Sequence, residues 1–457
     1  MRLSQIQKIT VGGMLLVSAS ACGTDDEDTN KSQPTKECPV IVSDADCDKT
    51  LRPFVFVHGT YGSGTDFAHT AALLGSNGYC QDRIVGVEYN SLGDSPGTDG
   101  NIDAVIDQVL ADNPDFDQVD LAGHSQGTAH CGAYLAEPAQ AAKVAHYINF
   151  SGSPAVGAVP TLSLSSEKDL QDTPHHASGD DVTAVTFKDE DHFAVAASRN
   201  AFIEVYKYLV GKEPKYKEVQ CGDEMVTVEG IAETFANNAR TQGKIEIREM
   251  TDTPRDKKKP VITTTSDAEG RFGPFELKRG VVYEFKGFDN NGDLVGYQYF
   301  TPFMRSNRLV RMLSPSDQAF IAALSTDHLV HGPNHSALVV RWSGGGFRQD
   351  LGGSLKVDGK EVLTSENSGD IAHTNSSLAG GTVGFFMADA DENMKSDLNL
   401  YYSASFLAFT DVFIDAREPS FVELKFVPGS EDPNVKAQTI KIPNWPSSDA
   451  DISITFQ

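Results

Sequence analysis

The fold is decided by the stretch Val119-Asp120-Leu121-Ala122-Gly123-His124-Ser125-Gln126-Gly127-Thr128. Its first four residues predict a buried strand, and residues 128–135 predict a helix. Between them, the chain spells the motif G-x-S-x-G in the strand–turn–helix context that this motif requires. Glycines beside the serine leave space for a sharp, strained turn, and free amides at the helix start favour negative charge. We therefore predict that Ser125 is a nucleophile.

Short apolar runs alternate with helical patterns on both sides of this motif. The predicted strands are residues 54–57, 83–88, 119–122, 144–150, 161–164 and 182–187. The predicted helices are residues 63–78, 102–110, 128–135 and 200–210. Strands that alternate with helices at this spacing indicate a parallel sheet with helices on both faces. We therefore predict a compact α/β domain over residues 51–212.

The pattern changes after residue 212. Residues 212–216 form a charged linker with a proline, and alternation with a period of two dominates beyond it, as in residues 244–250. We predict all-β structure from residue 217 to the end, in one module over residues 217–315 and another over residues 316–457. The two modules are expected to meet near Pro315.

A nucleophile of this kind needs amide donors for the oxyanion that its attack creates. The first strand ends in His58-Gly59-Thr60, and ligand sites in such sheets lie at the C-terminal ends of the strands. We predict that the backbone amides of Thr60 and Gln126 form the oxyanion hole. We assign His58 a structural role in bracing this loop.

The general base is expected late in the chain, in a loop after a strand. His192 follows the strand 182–187 and precedes a helix, so we predict that it is the base. His175 and His176 are the competing candidates, in a loop after Pro174.

The acid that orients the base is expected after the preceding strand. Asp169 is our candidate, and Asp172 remains open because either carboxylate would serve if its geometry allowed. The resulting chain order is Ser125, Asp169, His192.

The N-terminus indicates an exported protein, and the net charge excludes one class of partner. The formal net charge of −26 over 457 residues argues against nucleic acid as a partner. A basic start, a short apolar run and small residues predict a signal peptide over residues 1–21. Cys22 follows Ala19-Ser20-Ala21 and resembles a bacterial lipobox, so we predict a lipidated Cys22 on a tether over residues 22–50, anchored in a membrane at the cell envelope or outside it. Plain cleavage that leaves Cys22 unmodified is the alternative.

Cysteines and acidic residues give weaker indications. Cys38 and Cys47 are candidates for a small disulfide loop, and an odd number of remaining cysteines leaves at least one thiol free or paired between chains. Asp389-x-Asp391-x-Asn393 has the spacing of calcium ligands, but it lacks glycine at the sixth position and has Leu400 at the twelfth. We expect a solvated acidic turn there, and we predict no metal site.

Residues 51–212 resemble a bacterial-type lipase of the α/β-hydrolase superfamily. The segments that carry the resemblance are Phe56-Val57-His58-Gly59, Gly123-His124-Ser125-Gln126-Gly127, Pro160-Thr161-Leu162 leading to Asp169, and Asp191-His192. Residues 270–275 and 305–310 resemble the C-terminal β domain of archaeal-type long-chain lipases. The resemblance implies a serine hydrolase of carboxylic esters without a cofactor, with a β domain that assists lipid binding. The polar loop 90–101 suggests a site without a lid, as in the minimal lipases.

Two other functions stay open. The chain is alternatively a non-catalytic surface-binding lipoprotein whose β half carries the function, or the same machinery acts on polyesters or peptides. The sequence leaves the natural substrate and the oligomeric state undetermined.

Overall fold

The structure is a computed structural model that describes residues 38–93, 100–235, 237–255, 258–314, 330–363, 383–398, 401–404, 406–429 and 436–457. The predicted signal peptide, Cys22, residues 22–37 of the tether and the module boundary near Pro315 lie outside these ranges. Within them, no helix is both long enough and apolar enough to cross a bilayer.

A six-stranded parallel sheet forms the first part of the described chain. Its strands are β1 (Phe54–Val57), β2 (Ile84–Val87), β3 (Val119–His124), β4 (Val144–Phe150), β5 (Thr161–Ser166) and β6 (Val182–Phe187). They lie in the order β2-β1-β3-β4-β5-β6, and every neighbouring pair is parallel. All residues of β1 and β3 are buried, which explains why both read as continuous or nearly continuous apolar runs.

Helices cover both faces of this sheet. They are α1 (Ala68–Ser76), α2 (Gly100–Asp112), α3 (Gln126–Leu135), α4 (Pro138–Ala141), α5 (Ala194–Ala197) and α6 (Arg199–Val210). Side chains alternate along β1, so Phe54 and Phe56 join the core that contains residues of α1 and α6. Val55 and Val57 join the core that contains residues of α2 and α3 on the opposite face. The prediction of a parallel sheet with helices on both faces is confirmed.

The remainder of the described chain is β structure. Its strands are β7 (Met225–Thr234), β8 (Lys244–Glu249), β9 (Ile262–Thr265), β10 (Arg271–Lys278), β11 (Tyr283–Phe288), β12 (Leu294–Phe300), β13 (Asn307–Ser314), β14 (Leu338–Trp342), β15 (Ser354–Val357), β16 (Lys360–Glu361), β17 (Gly384–Ala388), β18 (Tyr401–Ala404), β19 (Leu407–Asp411), β20 (Phe421–Val427), β21 (Gln438–Pro443) and β22 (Ile452–Phe456). They form sheets of the order β10-β7-β13, β18-β19-β17-β14-β22-β12-β11-β8-β9 and β16-β15-β20-β21. The nine-stranded sheet contains strands of both predicted modules, because β22 lies between β12 and β14 and is parallel to each.

Two disulfides tie the start of the described chain to later segments. Cys38 bonds to Cys221 and Cys47 bonds to Cys80. The predicted loop between Cys38 and Cys47 is therefore wrong, because each of these cysteines lies beside a partner that the fold brings in from further along the chain. Cys131 is the odd cysteine, and it is a buried free thiol.

Candidate active site

The predicted nucleophile lies in a strained turn between β3 and α3. Ser125 has φ 52° and ψ −120°, in a region that non-glycine residues rarely adopt. A Cβ atom on Gly123 would lie 2.8 Å from Sγ of Cys131, and one on Gly127 would lie 2.4 Å from the carbonyl oxygens of Val57 and His58. Both glycines of the motif are therefore required sterically, as the sequence pattern suggested.

The predicted base and acid meet in a buried hydrogen bond. Nδ1 of His192 lies 2.6 Å from Oδ1 of Asp169, and both side chains are at most 1% exposed. Oδ2 of Asp169 accepts from the Ser165 hydroxyl at 2.6 Å, and its Oδ1 accepts from the Leu170 amide at 2.8 Å. Burial raises the pKa of Asp169, but the bond to His192 and the hydroxyl donors outweigh it and lower that pKa to about 2. The carboxylate is therefore ionised at any ordinary working pH.

The second ring nitrogen of His192 is the reactive one in this arrangement. With an Nδ1 proton donated to Asp169, Nε2 is left as an acceptor. It is buried and has no hydrogen-bond partner among the described residues. An imidazole held at Nδ1 by a carboxylate and free at Nε2 has the form of a general base.

The loop that carries His192 is fastened to the nucleophile turn. Nε2 of His124 lies 2.8 Å from the carbonyl oxygen of His192, and the two rings lie 4.7 Å apart. Burial lowers the pKa of His124 to about 3, so this ring is neutral and donates its Nε2 proton. The residue next to Ser125 in the chain therefore positions the backbone of the predicted base.

The alternative candidates lie elsewhere. Asp172 is exposed, and its Oδ1 lies 3.8 Å from Nζ of Lys168. Nε2 of His175 lies 3.2 Å from the Leu170 carbonyl oxygen, and His176 contacts the hydroxyls of neighbouring strands. The structure thus brings Asp169, and not Asp172, to His192.

The side chains of the two residues that carry the predicted oxyanion donors are in contact. The Thr60 hydroxyl donates to Oε1 of Gln126 at 2.9 Å, which links the loop after β1 to the start of α3. A Cβ atom on Gly59 would lie 2.9 Å from Cβ of Ser125, so this loop passes against the serine. Both backbone amides therefore belong to segments that border Ser125.

His58 connects this loop to the β half of the protein. Burial lowers its pKa to about 4, and its Nδ1 lies 2.8 Å from the carbonyl oxygen of Gly59. Its Nε2 accepts from the Asn238 amide at 3.1 Å, and Asn238 in turn accepts from Arg311 at 2.6 Å. Arg311 pairs with the buried Glu233 at 2.8 Å. A buried polar chain thus runs from β13 to the oxyanion loop.

The β half also covers the predicted base. The ring of Phe406, just before β19, lies parallel to the ring of His192 with centroids 6.1 Å apart, and it meets Phe193 edge-on at 4.9 Å. Oδ1 of Asp191 accepts from the Phe193 amide at 2.8 Å and from the Gly346 amide at 3.2 Å. The cover over His192 thus comes from the C-terminal β region, whereas residues 94–99 of the loop in which a lid was not expected lie outside the described residues.

A small cavity lies beside the serine turn. A cavity of about 20 Å³ lies between Thr60, His124, Trp342 and Val383, which is enough for roughly one water molecule. A groove of about 1900 Å³ lies between the two halves of the protein. Ser125, Asp169 and His192 are all described, and none of them lines this groove. Ser125 itself is half-buried, so the groove between the halves is not its route of access to an ester.

Sequence reasoning did not identify Ser165, Asp191 or Phe406 as parts of this site. Ser165 lies near the end of β5, four residues before Asp169. Its closeness in sequence to the predicted acid was a signal that its hydroxyl could bond to that carboxylate. Asp191 precedes His192, and its carboxylate accepts from the Phe193 and Ala194 amides at the start of α5, as helix-capping side chains do. No feature of the sequence pointed to Phe406, because its contact with His192 joins residues more than 200 positions apart.

Two family models match the β half of the chain. The model described as the lipase C-terminal domain matches residues 224–316. This segment is lipase-like. A further model, described as a C-terminal domain, matches residues 325–457. With the parallel sheet and the serine turn, the chain resembles lipases of the α/β-hydrolase fold that carry a C-terminal β domain, and the resemblance stated from the sequence is confirmed.

Solved hydrolase structures also align with the chain. Lipase B from Aspergillus fumigatus is 16% identical with a TM-score of 0.30, over 36% of this chain and 54% of its own. The lipase BlEst2 from Bacillus licheniformis is 10% identical with a TM-score of 0.30, over 57% of this chain and 93% of its own. A CIB-like hydrolase from Thermoplasma acidophilum is 14% identical with a TM-score of 0.24, over 35% and 86%. The chain thus spans about half the length of the Aspergillus lipase.

Proposed function

We propose that this protein is a serine hydrolase that cleaves carboxylic esters through an acyl-enzyme on Ser125, as a triacylglycerol lipase or an esterase. The observation that carries the proposal is the ionised Asp169 bonded to Nδ1 of His192, whose Nε2 has no partner, in a loop fastened beside the strained Ser125 turn. The match of residues 224–316 to a lipase domain supports an ester substrate.

The reaction takes two acyl-transfer steps. Nε2 of His192 takes the Ser125 proton while the serine oxygen attacks the ester carbonyl, and Asp169 stabilises the imidazolium that forms. His192 then protonates the departing alcohol as the carbon–oxygen bond breaks. Water repeats the sequence on the acyl-enzyme, releasing the acid and the free serine. The reaction requires no metal or organic cofactor.

The amides of Thr60 and Gln126 are the proposed oxyanion donors. Removing one such donor from an acyl-transfer enzyme costs about 2.7–4 kcal/mol of transition-state stabilisation. The chain from His58 to Arg311 supports this assignment, because it gives the Thr60 loop a rigid buried support.

Export and lipid anchoring are part of the proposal. A bacterial lipoprotein with its acyl chains on Cys22 would hold the hydrolase at a membrane that contains ester substrates. Two disulfides are compatible with an oxidising compartment. Incorporation of labelled palmitate into the wild-type chain, and its loss in Cys22→Ser, would support lipidation, whereas equal labelling of both would exclude Cys22.

Ser125→Ala tests the function. We expect the full chain to hydrolyse p-nitrophenyl esters and to acquire one fluorophosphonate adduct on the Ser125 peptide, and Ser125→Ala to lose both. Ser153→Ala changes an exposed serine nearby and is expected to retain both. Retained turnover in Ser125→Ala would refute the proposal.

A panel of esters of increasing acyl length, with a polyester and a peptide, separates lipase, esterase and the alternative substrates.

The competing function is a non-catalytic binding lipoprotein. It predicts that the intact protein turns over no ester and carries no adduct at Ser125, while it still binds its target surface. The paired His192 and Asp169 favour the hydrolase, because a binding module has no need for this buried pair.

A further inference from the structure

Three carboxylates meet at one end of two strands in the C-terminal β region. Asp389 follows β17 directly, Asp391 lies two residues further, and Asp411 ends β19. The strands β17 and β19 are parallel neighbours, and their register places Ala388 beside Asp411. One oxygen from each carboxylate lies within 4.8 Å of the other two.

Two of these carboxylates are buried, contrary to the expected solvated turn. Asp389 is 1% exposed and Asp411 is 0% exposed. Within the described ranges, none of the three carboxylates pairs with a lysine or an arginine. Their negative charge therefore lacks a counter-charge from the protein.

One oxygen of this cluster has no partner. Oδ2 of Asp389 accepts from the Met394 amide at 2.9 Å, but its Oδ1 is buried and has no hydrogen bond. Buried carboxylate oxygens are almost always satisfied, and a missing partner points to an ion or a ligand. The unpaired Oδ1 of Asp389 is thus an observation separate from the clustering of the three carboxylates.

The sequence departs from a calcium-binding loop at two positions, the sixth and the twelfth, and the structure bears on each departure. Met394 occupies the sixth position of the loop with φ 60°, so the chain makes the turn for which such loops use glycine. The twelfth position, Leu400, lies outside the described residues. Asp411 supplies a third carboxylate from the neighbouring strand, and its two oxygens accept the Ala390 and Asp397 amides at 3.2 and 3.1 Å.

We propose that Asp389, Asp391 and Asp411 bind one divalent cation of the calcium type. All three donors are carboxylate oxygens, and among the residues that the structure describes neither histidine nor cysteine joins the cluster, which favours calcium over zinc. Calcium also tolerates irregular oxygen geometry better than magnesium. The ion would join the loop after β17 to the end of β19 and neutralise the buried charge.

Isothermal titration calorimetry of the full chain, stripped with EGTA and dialysed, tests the site with CaCl2 and MgCl2 as probes. We expect one calcium per chain, weaker magnesium binding, and a calcium affinity reduced about tenfold or more in Asp389→Asn and in Asp391→Asn. Asp391 is exposed, so its variant keeps the test valid if the buried substitution fails to fold. Asp289→Asn, in another Asp-rich turn, is the matched control and is expected to bind calcium as the wild type does.

Thermal unfolding is a second test, because the same substitution is expected to shift the melting temperature in different directions without and with calcium. The substitution Asp389→Asn keeps a side-chain oxygen for the Met394 amide and removes one negative charge. We therefore expect Asp389→Asn to melt at or above the wild-type temperature in EGTA and below it in saturating calcium. Calcium binding that is equal in wild type, Asp389→Asn and Asp391→Asn, or no saturable binding up to about 10 mM, well above the usual range for extracellular sites, would overturn the proposal.

Discussion

His192 meets a different environment at each of its two ring nitrogens, and this difference is the basis of the proposed chemistry. Nδ1 faces an ionised carboxylate, and Nε2 faces no described partner. The pKa of Asp169 lies below its ordinary value of 3.8, at about 2. Its contribution to stability is therefore complete above pH 3.8 and is lost as the pH falls through about 2. The pair is intact wherever an esterase would be assayed.

Asp169→Asn separates the two acids that the sequence left open. The amide keeps the shape but loses the charge that orients and stabilises the imidazolium, so we expect kcat to fall by about 10⁴-fold with little change in KM. Asp172→Asn alters an exposed carboxylate and is expected to retain activity. Steady-state kinetics on a soluble p-nitrophenyl ester measures both. A larger loss in Asp172→Asn than in Asp169→Asn would reverse the assignment.

At the scale of elements, β19 carries different features at its two ends. Phe406 precedes its first residue and covers His192, while Asp411 ends it in the carboxylate cluster. The strands β1 to β6 were predictable because each carries a short local pattern of apolar or β-branched residues, and its spacing to the next element is also local. Phe406 and Asp411 were not predictable in their roles, because strand register between distant segments brings each to its partners.

Removing the Phe406 ring tests the cover. Stacked and edge-on aromatic pairs contribute about 0.5–1.5 kcal/mol, so Phe406→Ala is expected to open the site about 2- to 10-fold more often. We expect kcat/KM for long-chain esters, and the rate of His192 modification by diethyl pyrocarbonate, to rise by that factor. Phe413→Ala removes a half-buried ring beyond the other end of β19 and is expected to leave both rates unchanged. Unchanged rates in Phe406→Ala would show that the ring does not limit access.

At the scale of the whole molecule, the two halves depend on each other. The oxyanion loop is braced by Asn238 and Arg311 of the β half. Arg305 of that half is 3% exposed, and it donates to the Ser76 hydroxyl of α1 at 3.1 Å. The disulfide Cys38–Cys221 joins residues 183 positions apart, from the segment before β1 to the start of the β half. Cysteine count alone could not give this pairing, because it follows from how the halves dock.

The two disulfides are expected to differ in their contribution to stability. Cys38–Cys221 closes a loop of 183 residues and Cys47–Cys80 one of 33, so loop-closure entropy predicts about 1.5 kcal/mol more stabilisation from the longer loop. Urea denaturation of Cys38→Ser/Cys221→Ser and Cys47→Ser/Cys80→Ser measures the free energy of unfolding of each. Burial raises the pKa of the Cys131 thiol, which keeps it protonated and prevents exchange in the variants. An equal or smaller loss in the Cys38→Ser/Cys221→Ser variant would mean that the halves dock equally well without their covalent link.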